Sequence, residues 1–188
     1  MPNIYECSEI RDVLIVEPDV FEDERGYFVE TYRRSWLPLG REMIQANRGD
    51  RKAGCLVGLH YHLHQADFWY IPRGACRIVL HDIRDSSPTY GKTFTVDVGT
   101  QADGSFKHLG VFIPPGVAHG FLALTDMTIT YMVDNYYNKQ DELGIAWDDP
   151  AIKADWVFPH PVVSERDKQN PYIDDLKPRW RPKYGSRK

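Results

Sequence analysis

The sequence predicts an all-β protein of sandwich or barrel type, on three observations. Its 188 residues suffice for one domain with a sizeable core and are too few for two ordinary domains, so we expect a single domain over residues 1–188. Between Asp12 and Val133, short apolar runs rich in β-branched and aromatic residues alternate with turn-forming clusters. Helical patterns are scarce. Such a chain is typical of an antiparallel sandwich or barrel.

The predicted strands are runs separated by Gly, Pro, Asp or Ser. The segment from Asp85 to Thr93, rich in Ser, Pro and Gly, has the composition of a hairpin connection, and TQADGS (100–105) is a second turn. In chain order the strand-like runs are VLIVEPDVF (13–21), GYFVETYR (26–33), DFWYIPRG (67–74), CRIVLHDIR (76–84), KTFTVDVG (92–99), LGVFIPPG (109–116) and FLALTDMTITYMV (121–133).

Two segments are predicted to form short peripheral helices. The first is RRSWLPLGREMIQ (33–45), which Pro38 interrupts. The second is SERDKQNPYIDDL (164–176), where Ser164 is a suitable N-cap and Asp167 stands at the third helical position.

Composition excludes several classes of protein. A net charge of −4 argues against a general nucleic-acid binder, and no apolar run approaches the ~18 to 20 residues of a membrane helix. The N-terminus has no basic segment followed by an apolar one, so we expect a cytoplasmic protein. The three cysteines have no metal-binding spacing and favour reduced thiols.

The stretch GCLVGLHYHLHQADFWYIPRG (54–74) carries the strongest chemical signal. Residues at alternate positions of a strand share a face, so strict alternation would point His60, His62 and His64 the same way. The spacing G-x5-H-x-H-x4-D-x6-G, together with His119 in GVFIPPGVAHG (110–120), resembles the two motifs of the cupin superfamily. The resemblance implies a jelly-roll barrel that can bind a metal through histidines and one carboxylate.

A closer resemblance extends over almost the whole chain. The sequence is similar to the dTDP-4-dehydrorhamnose 3,5-epimerase family, a cupin branch that generally works without metal. The similarity implies a homodimeric enzyme that acts on a dTDP-linked 4-keto-6-deoxyhexose and requires no cofactor. The strings that carry it are FEDERGYFVETY (21–32), QANRGDRKAGCLVGLHYH (45–62), DIRD with the following SSPTYGKT (82–93), FIPPGVAHGFLAL (112–124), ITYMVDNYY (129–137), GIAWDDP (144–150) and VVSERD (162–167).

The resemblance also assigns roles to individual residues. It implies that His60 removes the proton next to the C4 ketone, that Asp167 orients His60, and that Tyr131 returns a proton on the opposite face. Neutral imidazole, with an ordinary pKa near ~6.5, suits such a step near neutral pH. His119 is expected beside the site. Nucleotide contacts are expected from two segments, at Arg25, Phe28 and Glu30 and at Gln45 and Asn47.

The sequence departs from the family at three positions. The usual R-G-L-H-Y-Q reads V-G-L-H-Y-H, with Val57 for the arginine and His62 for the glutamine. A family lysine aligns with Asp67, which reverses the charge. These changes favour an alternative in which His60, His62, Asp67 and His119 bind a divalent transition metal. A metal-bound His60 would not be free to act as the base.

Three functions therefore compete at the level of sequence. The first is the epimerase, inverting C3, C5 or both. The second is a metal-dependent ketoisomerase or oxygenase on the same scaffold, and the third is a non-catalytic sugar-nucleotide binding protein. His64 belongs to no motif and is expected at the surface or beside the site.

Overall fold

The computed structural model describes residues 1–38 and 41–185. These residues form short strands and single turns of 3-10 helix, with no α-helix among them. The strands are β1 (Asn3–Glu6), β2 (Leu14–Glu17), β3 (Val20–Asp23), β4 (Gly26–Val29), β5 (Gln45–Arg51), β6 (Cys55–Tyr61), β7 (Asp67–Arg73), β8 (Ala75–Asp82), β9 (Thr93–Thr100), β10 (Phe106–Lys107), β11 (Gly110–Ile113), β12 (Val117–Ala123), β13 (Met127–Val133), β14 (Leu143–Gly144) and β15 (Val162–Val163). The 3-10 helices are Arg34–Trp36, Asp167–Gln169, Ile173–Asp175 and Pro178–Trp180.

Two large sheets make up the barrel. One has the strand order β1-β2-β11-β7-β13-β5, and the other has the order β10-β9-β8-β12-β6-β14. Neighbouring strands in both orders are antiparallel, whereas β15 joins β6 in parallel. This arrangement confirms the predicted all-β jelly-roll barrel.

The main core lies between the two sheets and is built from alternate residues of their strands. Ile78 and Leu80 of β8 face Ile71 of β7 and Ile129 of β13 within one buried cluster. Because side chains alternate between the faces of a strand, the polar residues that continue these alternations also point inward. The interior pattern therefore fixes the direction of the candidate site residues.

The outer faces of both sheets are covered as well. Trp36 and Leu37 pack with Phe68 over the first sheet. Residues of the C-terminal segment, including Ile173 and Leu176, pack over the second sheet. The second covering matters for function, because it carries Asp167 towards β6.

Strands β3 and β4 form a separate two-stranded hairpin. Tyr27 anchors it edge-on against His108, with ring centroids 4.9 Å apart. Phe21 and Phe28 are opposite each other in the pairing, and the two residues are 63% and 70% exposed. The hairpin thus presents an apolar face that residues 1–38 and 41–185 leave exposed.

The predicted turns are confirmed, whereas the predicted helices are shorter than expected. Residues 85–93 connect β8 to β9, and residues 100–105 connect β9 to β10. Of the first helical segment only Arg34–Trp36 is helical, since Pro38 follows at once, and positions 39 and 40 lie outside the described residues. The second segment splits into two 3-10 turns on either side of Pro171.

Two expectations from the sequence concern the cysteines and the helices: reduced thiols and no membrane-spanning helix. Cys7, Cys55 and Cys76 are all free thiols. Among the described residues, no helix has the length and apolarity that crossing a lipid bilayer requires.

Candidate functional site

At one level of the barrel, the inward-facing positions of the strands hold polar instead of apolar residues. Asp67 precedes the inward-facing Trp69 of β7, and His119 lies between Val117 and Phe121 of β12. The Trp69 ring meets the His119 ring edge-on, with centroids 5.2 Å apart. A group of titratable side chains therefore lies inside the barrel, next to the apolar core.

A bulge at Gly58 directs His60 towards the same interior. His119 pairs with His60, whereas Phe121 pairs with Val57, so β6 has one more residue here than β12. The extra residue lets both Val57 and His60 face inward, which strict alternation forbids. Gly58 has a φ of +114°, and an added Cβ would lie 2.7 Å from the His119 carbonyl oxygen, so glycine is required there.

His60 and Asp167 form a hydrogen-bonded pair. Nε2 of His60 is 2.7 Å from Oδ1 of Asp167, and their side chains are 18% and 4% exposed. The other carboxylate oxygen, Oδ2, accepts a hydrogen bond from the Gly58 backbone N–H at 3.3 Å. Nε2 therefore carries the proton in this contact, and Nδ1 of His60 is left with a lone pair.

The C-terminal segment brings Asp167 to this position. Strand β15 pairs with β6, with Val162 opposite Cys55. The chain then turns into the 3-10 helix that begins at Asp167, whose N–H donates to Oγ of Ser164 at 3.1 Å. The predicted N-cap, Ser164, lies before this helix: the N-cap residue is Arg166, which makes no side-chain capping hydrogen bond.

Asp167 is held as a carboxylate. Burial alone would raise the pKa of this group, but hydrogen bonds from His60 and from the Gly58 N–H lower it below its ordinary value. An ionised Asp167 keeps the His60 tautomer fixed and stabilises the imidazolium that forms when His60 takes a proton.

His62, Asp67 and His119 form a second cluster. Nε2 of His62 lies 3.8 Å from Oδ1 of Asp67, and Nε2 of His119 lies 3.9 Å from Oδ2. Their potential ligand atoms all lie within 4.8 Å of one another, and each side chain is about 5% exposed. His60 is not part of this group. Of the four predicted metal ligands, the group within this distance contains three, and the ring of His60 contacts Asp167 instead.

Backbone carbonyls orient both histidines of the cluster. Nδ1 of His62 donates to the Asp141 carbonyl oxygen at 2.7 Å, and Nδ1 of His119 donates to the Val117 carbonyl oxygen at 2.9 Å. Burial holds the pKa of His119 well below its ordinary value. His119 is therefore neutral, with its Nε2 lone pair directed at Asp67.

Tyr131 approaches from the opposite sheet. It is the Cα partner of Trp69 on β7 and of Asn47 on β5, and it packs against the main core. Burial raises the pKa of its hydroxyl, and the negative charges of Asp67 and Glu142 raise it further. Tyr131 is thus a protonated donor near neutral pH, on the wall across from β6.

The predicted nucleotide contacts fall into two groups. Gln45 and Asn47 occupy alternate, half-buried positions of β5, where Nε2 of Gln45 donates to Oδ1 of Asn47 at 2.9 Å. They share the face of Tyr131. Arg25, Phe28 and Glu30 instead lie on or directly after the exposed β3–β4 hairpin. Arg25 pairs there with Asp23, and Glu30 pairs with Arg33.

Arg51 is a further candidate site residue, beyond those predicted from the sequence. Arg51 continues the half-buried alternation of Gln45 and Asn47 on β5. Its guanidinium extends back over Gly49, where an added Cβ would lie 3.3 Å from Nη1. Its positive charge acts on Tyr131. The alternation Q-x-N-x-G-x-R was the available signal, since a glycine before an arginine at this spacing leaves room for the long side chain.

Val57 and Asp67 replace two cations of the family pattern, so the interior here has less positive charge and one added carboxylate. Val57 packs against the main core, so the position of the family arginine is apolar. Oδ1 of Asp67 accepts from the Gln65 amide at 2.9 Å, and Oδ2 accepts from the Trp69 indole N–H at 3.1 Å. A buried carboxylate thus stands at the position of the family lysine.

Comparisons with known proteins point in one direction. The family model for dTDP-4-dehydrorhamnose 3,5-epimerase matches residues 7–175. The dTDP-4-dehydrorhamnose 3,5-epimerase of Shigella flexneri is 38% identical over 168 residues, which are 85% of this chain and 90% of that protein. The enzyme of the same name from Escherichia coli K12 is 35% identical over 178 residues, 90% of this chain and 94% of that protein.

Solved structures agree with the sequence comparison. The Legionella pneumophila 3,5-epimerase in complex with dTDP-4-keto-L-rhamnose superposes with a TM-score of 0.88 at 28% identity, covering 98% of this chain and 99% of that one. A double mutant of a Streptomyces bikiniensis 3'-monoepimerase, with His-to-Asn and Tyr-to-Phe substitutions and bound dTDP, gives a TM-score of 0.83 at 26% identity, covering 96% of this chain and 93% of that one.

Proposed function

The chain belongs to the dTDP-4-dehydrorhamnose 3,5-epimerase family, and from this premise we propose that His60, Asp167 and Tyr131 move the protons in its reaction. The protein is an epimerase that acts on a dTDP-linked 4-keto-6-deoxyhexose. Members of the family need no cofactor. The observation that carries the proposed roles is the 2.7 Å contact between His60 Nε2 and Asp167 Oδ1.

In the first step, Nδ1 of His60 takes the proton from the carbon next to the C4 ketone. The C–H electron pair moves into the new C–C double bond, and the carbonyl electron pair moves onto O4, giving an enolate. His60 becomes an imidazolium whose Nε2–H faces the ionised Asp167, so the new charge is paired inside the protein. This arrangement suits a general base.

In the second step, the hydroxyl of Tyr131 donates its proton to the same carbon from the opposite face. Inversion requires a donor and an acceptor on different sides of the sugar ring. His60 on β6 and Tyr131 on β13 belong to the two facing sheets, which supports this division of labour. The raised pKa of Tyr131 supports its role as the donor.

Substrate binding is proposed to use the inward face of β5. The Gln45 and Asn47 amides offer donors and acceptors for the nucleotide, and Arg51 offers a guanidinium for the diphosphate. Arginine binds phosphate oxygens in a bidentate manner, so Arg51 contributes positive charge that Val57 and Asp67 do not.

The reaction is tested by incubating the protein with a dTDP-4-keto-6-deoxyhexose in D₂O. We expect NMR spectroscopy to detect deuterium at C3, C5 or both, together with a new diastereomer. If the folded protein neither incorporates deuterium nor inverts the substrate, the epimerase assignment is wrong.

Tyr131→Phe separates the two proton transfers. We expect formation of the inverted product to fall by about 10²-fold or more, since a general acid typically contributes 10²- to 10⁴-fold. Deuterium incorporation should persist within about tenfold, because His60 still removes the proton and can return a deuteron from its own face. Both rates are read from the same NMR time course.

Tyr70→Phe is the matched control for Tyr131→Phe. Tyr70 is the next residue of β7 after Trp69, and its hydroxyl contacts Nδ1 of His108 at 2.7 Å. Its side chain points to the other face of the sheet. If Tyr131→Phe inverts the substrate at the wild-type rate, Tyr131 is not the second proton carrier.

We also propose a homodimer in which the β3–β4 hairpin contributes to the site of the partner subunit. The apolar face formed by Phe21 and Phe28 lacks a covering within the described part of its own chain. The nucleotide-contact candidates Arg25, Phe28 and Glu30 lie on or beside this hairpin, so dimerisation would bury the face and complete the site.

Phe21→Ser tests the dimer without altering a nucleotide-contact candidate. Burial of a phenylalanine side chain contributes about 1.5 to 3 kcal/mol, and the interface uses it twice, so we expect a dissociation constant raised at least 100-fold. Sedimentation velocity over a dilution series measures this. Tyr90→Ser, on the β8–β9 turn with 46% exposure, should leave association unchanged. A wild-type protein that stays monomeric at all concentrations would exclude the dimer.

A further inference from the structure

The His62–Asp67–His119 cluster combines three groups that all present lone pairs to one another. Because both Nδ1 atoms donate to backbone carbonyls, both Nε2 atoms are acceptors. Both Asp67 oxygens are acceptors too. Within the described part of the chain, neither Nε2 atom makes a hydrogen bond, and the nearest charged atoms, 3.8 and 3.9 Å away, are the oxygens of Asp67. The Asp67 oxygens each accept one hydrogen bond, from Gln65 and Trp69, and keep further lone pairs. A cation between the four acceptor atoms would offset their mutual repulsion.

We propose that His62, Asp67 and His119 bind a divalent transition-metal ion, with His60 excluded from the ligand set. Two imidazoles and one carboxylate with remaining open positions are a donor set that suits Fe²⁺, Mn²⁺, Co²⁺, Ni²⁺ or Zn²⁺. The site goes beyond the proposed epimerase chemistry, because the family reaction proceeds without a cofactor.

The measured spacing fits such an ion. Two ligand atoms that each lie about 2.0 to 2.2 Å from one ion are at most about 4.4 Å apart. The distances from Asp67 to the two histidines, 3.8 and 3.9 Å, fall within this limit. The whole group lies within 4.8 Å, so the histidine pair needs to close by about 0.4 Å at most.

The groups behind the cluster also have the arrangement found around metal ligands. Histidines that bind metal through Nε2 commonly donate Nδ1–H to a carbonyl or carboxylate, which fixes the tautomer and the ring orientation. His62 and His119 both do so, through the carbonyls of Asp141 and Val117. Asp67 is held by the Gln65 amide and the Trp69 indole. The orientation of all three groups is therefore fixed before an ion binds.

The position of the cluster beside the proposed base suggests that the ion takes part in the reaction, an inference that rests on the proposed function. His119 is the pairing partner of His60 across β12 and β6, so the cluster adjoins the proposed base. A divalent ion bound there supplies Lewis acidity towards a carbonyl oxygen, which offsets the loss of the family cations at Val57 and Asp67. His60 stays hydrogen-bonded to Asp167 and remains available for proton transfer.

The test is a metal-binding measurement without substrate, so it is independent of the activity. The full chain is stripped with a chelator, reconstituted separately with Zn²⁺ or Co²⁺, desalted and analysed for metal content. We expect about one equivalent of ion per chain. The Co²⁺ form should also show visible ligand-field absorption.

Variants then identify the ligands. Asp67→Asn and His119→Gln should each lower the affinity for Zn²⁺ at least 100-fold, whereas His60→Asn should retain one equivalent. His64→Ala is the matched control, because His64 is exposed and lies in the same loop. Retention in His60→Asn separates this site from a four-ligand set.

Three results would overturn the proposal. They are less than a tenth of an equivalent after reconstitution of the wild-type protein, unchanged affinity in Asp67→Asn, and loss of binding in folded His60→Asn. Deuterium exchange by the stripped wild-type protein is measured alongside. If exchange occurs without metal binding, the metal proposal fails and the epimerase proposal stands. If the ion binds but neither the stripped nor the reconstituted protein exchanges deuterium, the epimerase proposal fails and the metal proposal stands.

Discussion

His60→Asn is expected to lower the rate of deuterium incorporation by about 10³- to 10⁴-fold, the upper part of the range for loss of a general base. Asparagine is close in size to histidine but has no group that takes a proton near neutral pH. The Nδ1 lone pair of His60 is the only basic atom that the Asp167 contact orients. Without this lone pair, no group accepts the proton from the carbon next to the ketone. The rate is measured by NMR with wild-type and variant proteins at equal concentration.

His64→Ala is the control for this loss. His64 lies four residues further along, is exposed, and contacts the rest of the protein through its backbone N–H and carbonyl oxygen. We expect His64→Ala to keep the wild-type rate within about twofold, since substitutions at exposed positions away from special features have small effects.

Binding of dTDP by His60→Asn should persist, which shows that the pocket is intact. Exchange within tenfold of wild type in His60→Asn would assign the base to another residue.

Asp167→Asn is expected to lower kcat by about 10⁴-fold, although the side chain keeps its shape. The Asp167 carboxylate accepts from two N–H donors, Nε2–H of His60 and the Gly58 backbone N–H. An amide has a single oxygen for two donors, so its NH₂ group must face one of them. When it faces His60, Nε2 becomes the acceptor, the proton moves to Nδ1, and the base is lost. The imidazolium also loses its counter-charge.

Glu165→Gln is the matched control for Asp167→Asn. Glu165 stands two residues earlier, its side chain is 83% exposed, and it pairs with Lys168 at the surface. It should leave kcat unchanged, because an exposed ion pair contributes little. Circular dichroism and a thermal melt show whether Asp167→Asn is folded. A folded variant that retains more than a tenth of the wild-type kcat would mean that Asp167 does not orient the base.

Local patterns in the sequence were sufficient for most of the fold. Alternation of apolar residues and the positions of turn-forming residues predicted the strands, because a strand buries one face and a turn has specific backbone demands. The connections at 85–93 and 100–105 were found in this way. Strand β5 was not predicted, because its sequence QANRGDR offers no apolar face. The side chains that β5 turns inward are polar, because this strand lines the candidate site and not the apolar core.

The family motifs predicted the site residues, but their grouping required the tertiary structure. The spacing of His60, His62, Asp67 and His119 favoured one set of four ligands. The structure instead separates His60, paired with Asp167, from the other three. The sequence alone does not show that a segment more than a hundred residues away reaches His60.

By itself, the sequence determined the all-β barrel, the residue types of the site and the departures at Val57, His62 and Asp67, since these follow from local pattern and identity. Only the tertiary structure decided which way each group points. The bulge at Gly58 shifts the alternation of β6 by one residue, so that Val57 and His60 both face inward. The strand ends at Tyr61, which leaves His62 buried and His64 exposed. The physical reason is that the register depends on the pairing of β6 with β12, a contact between residues about sixty positions apart in sequence.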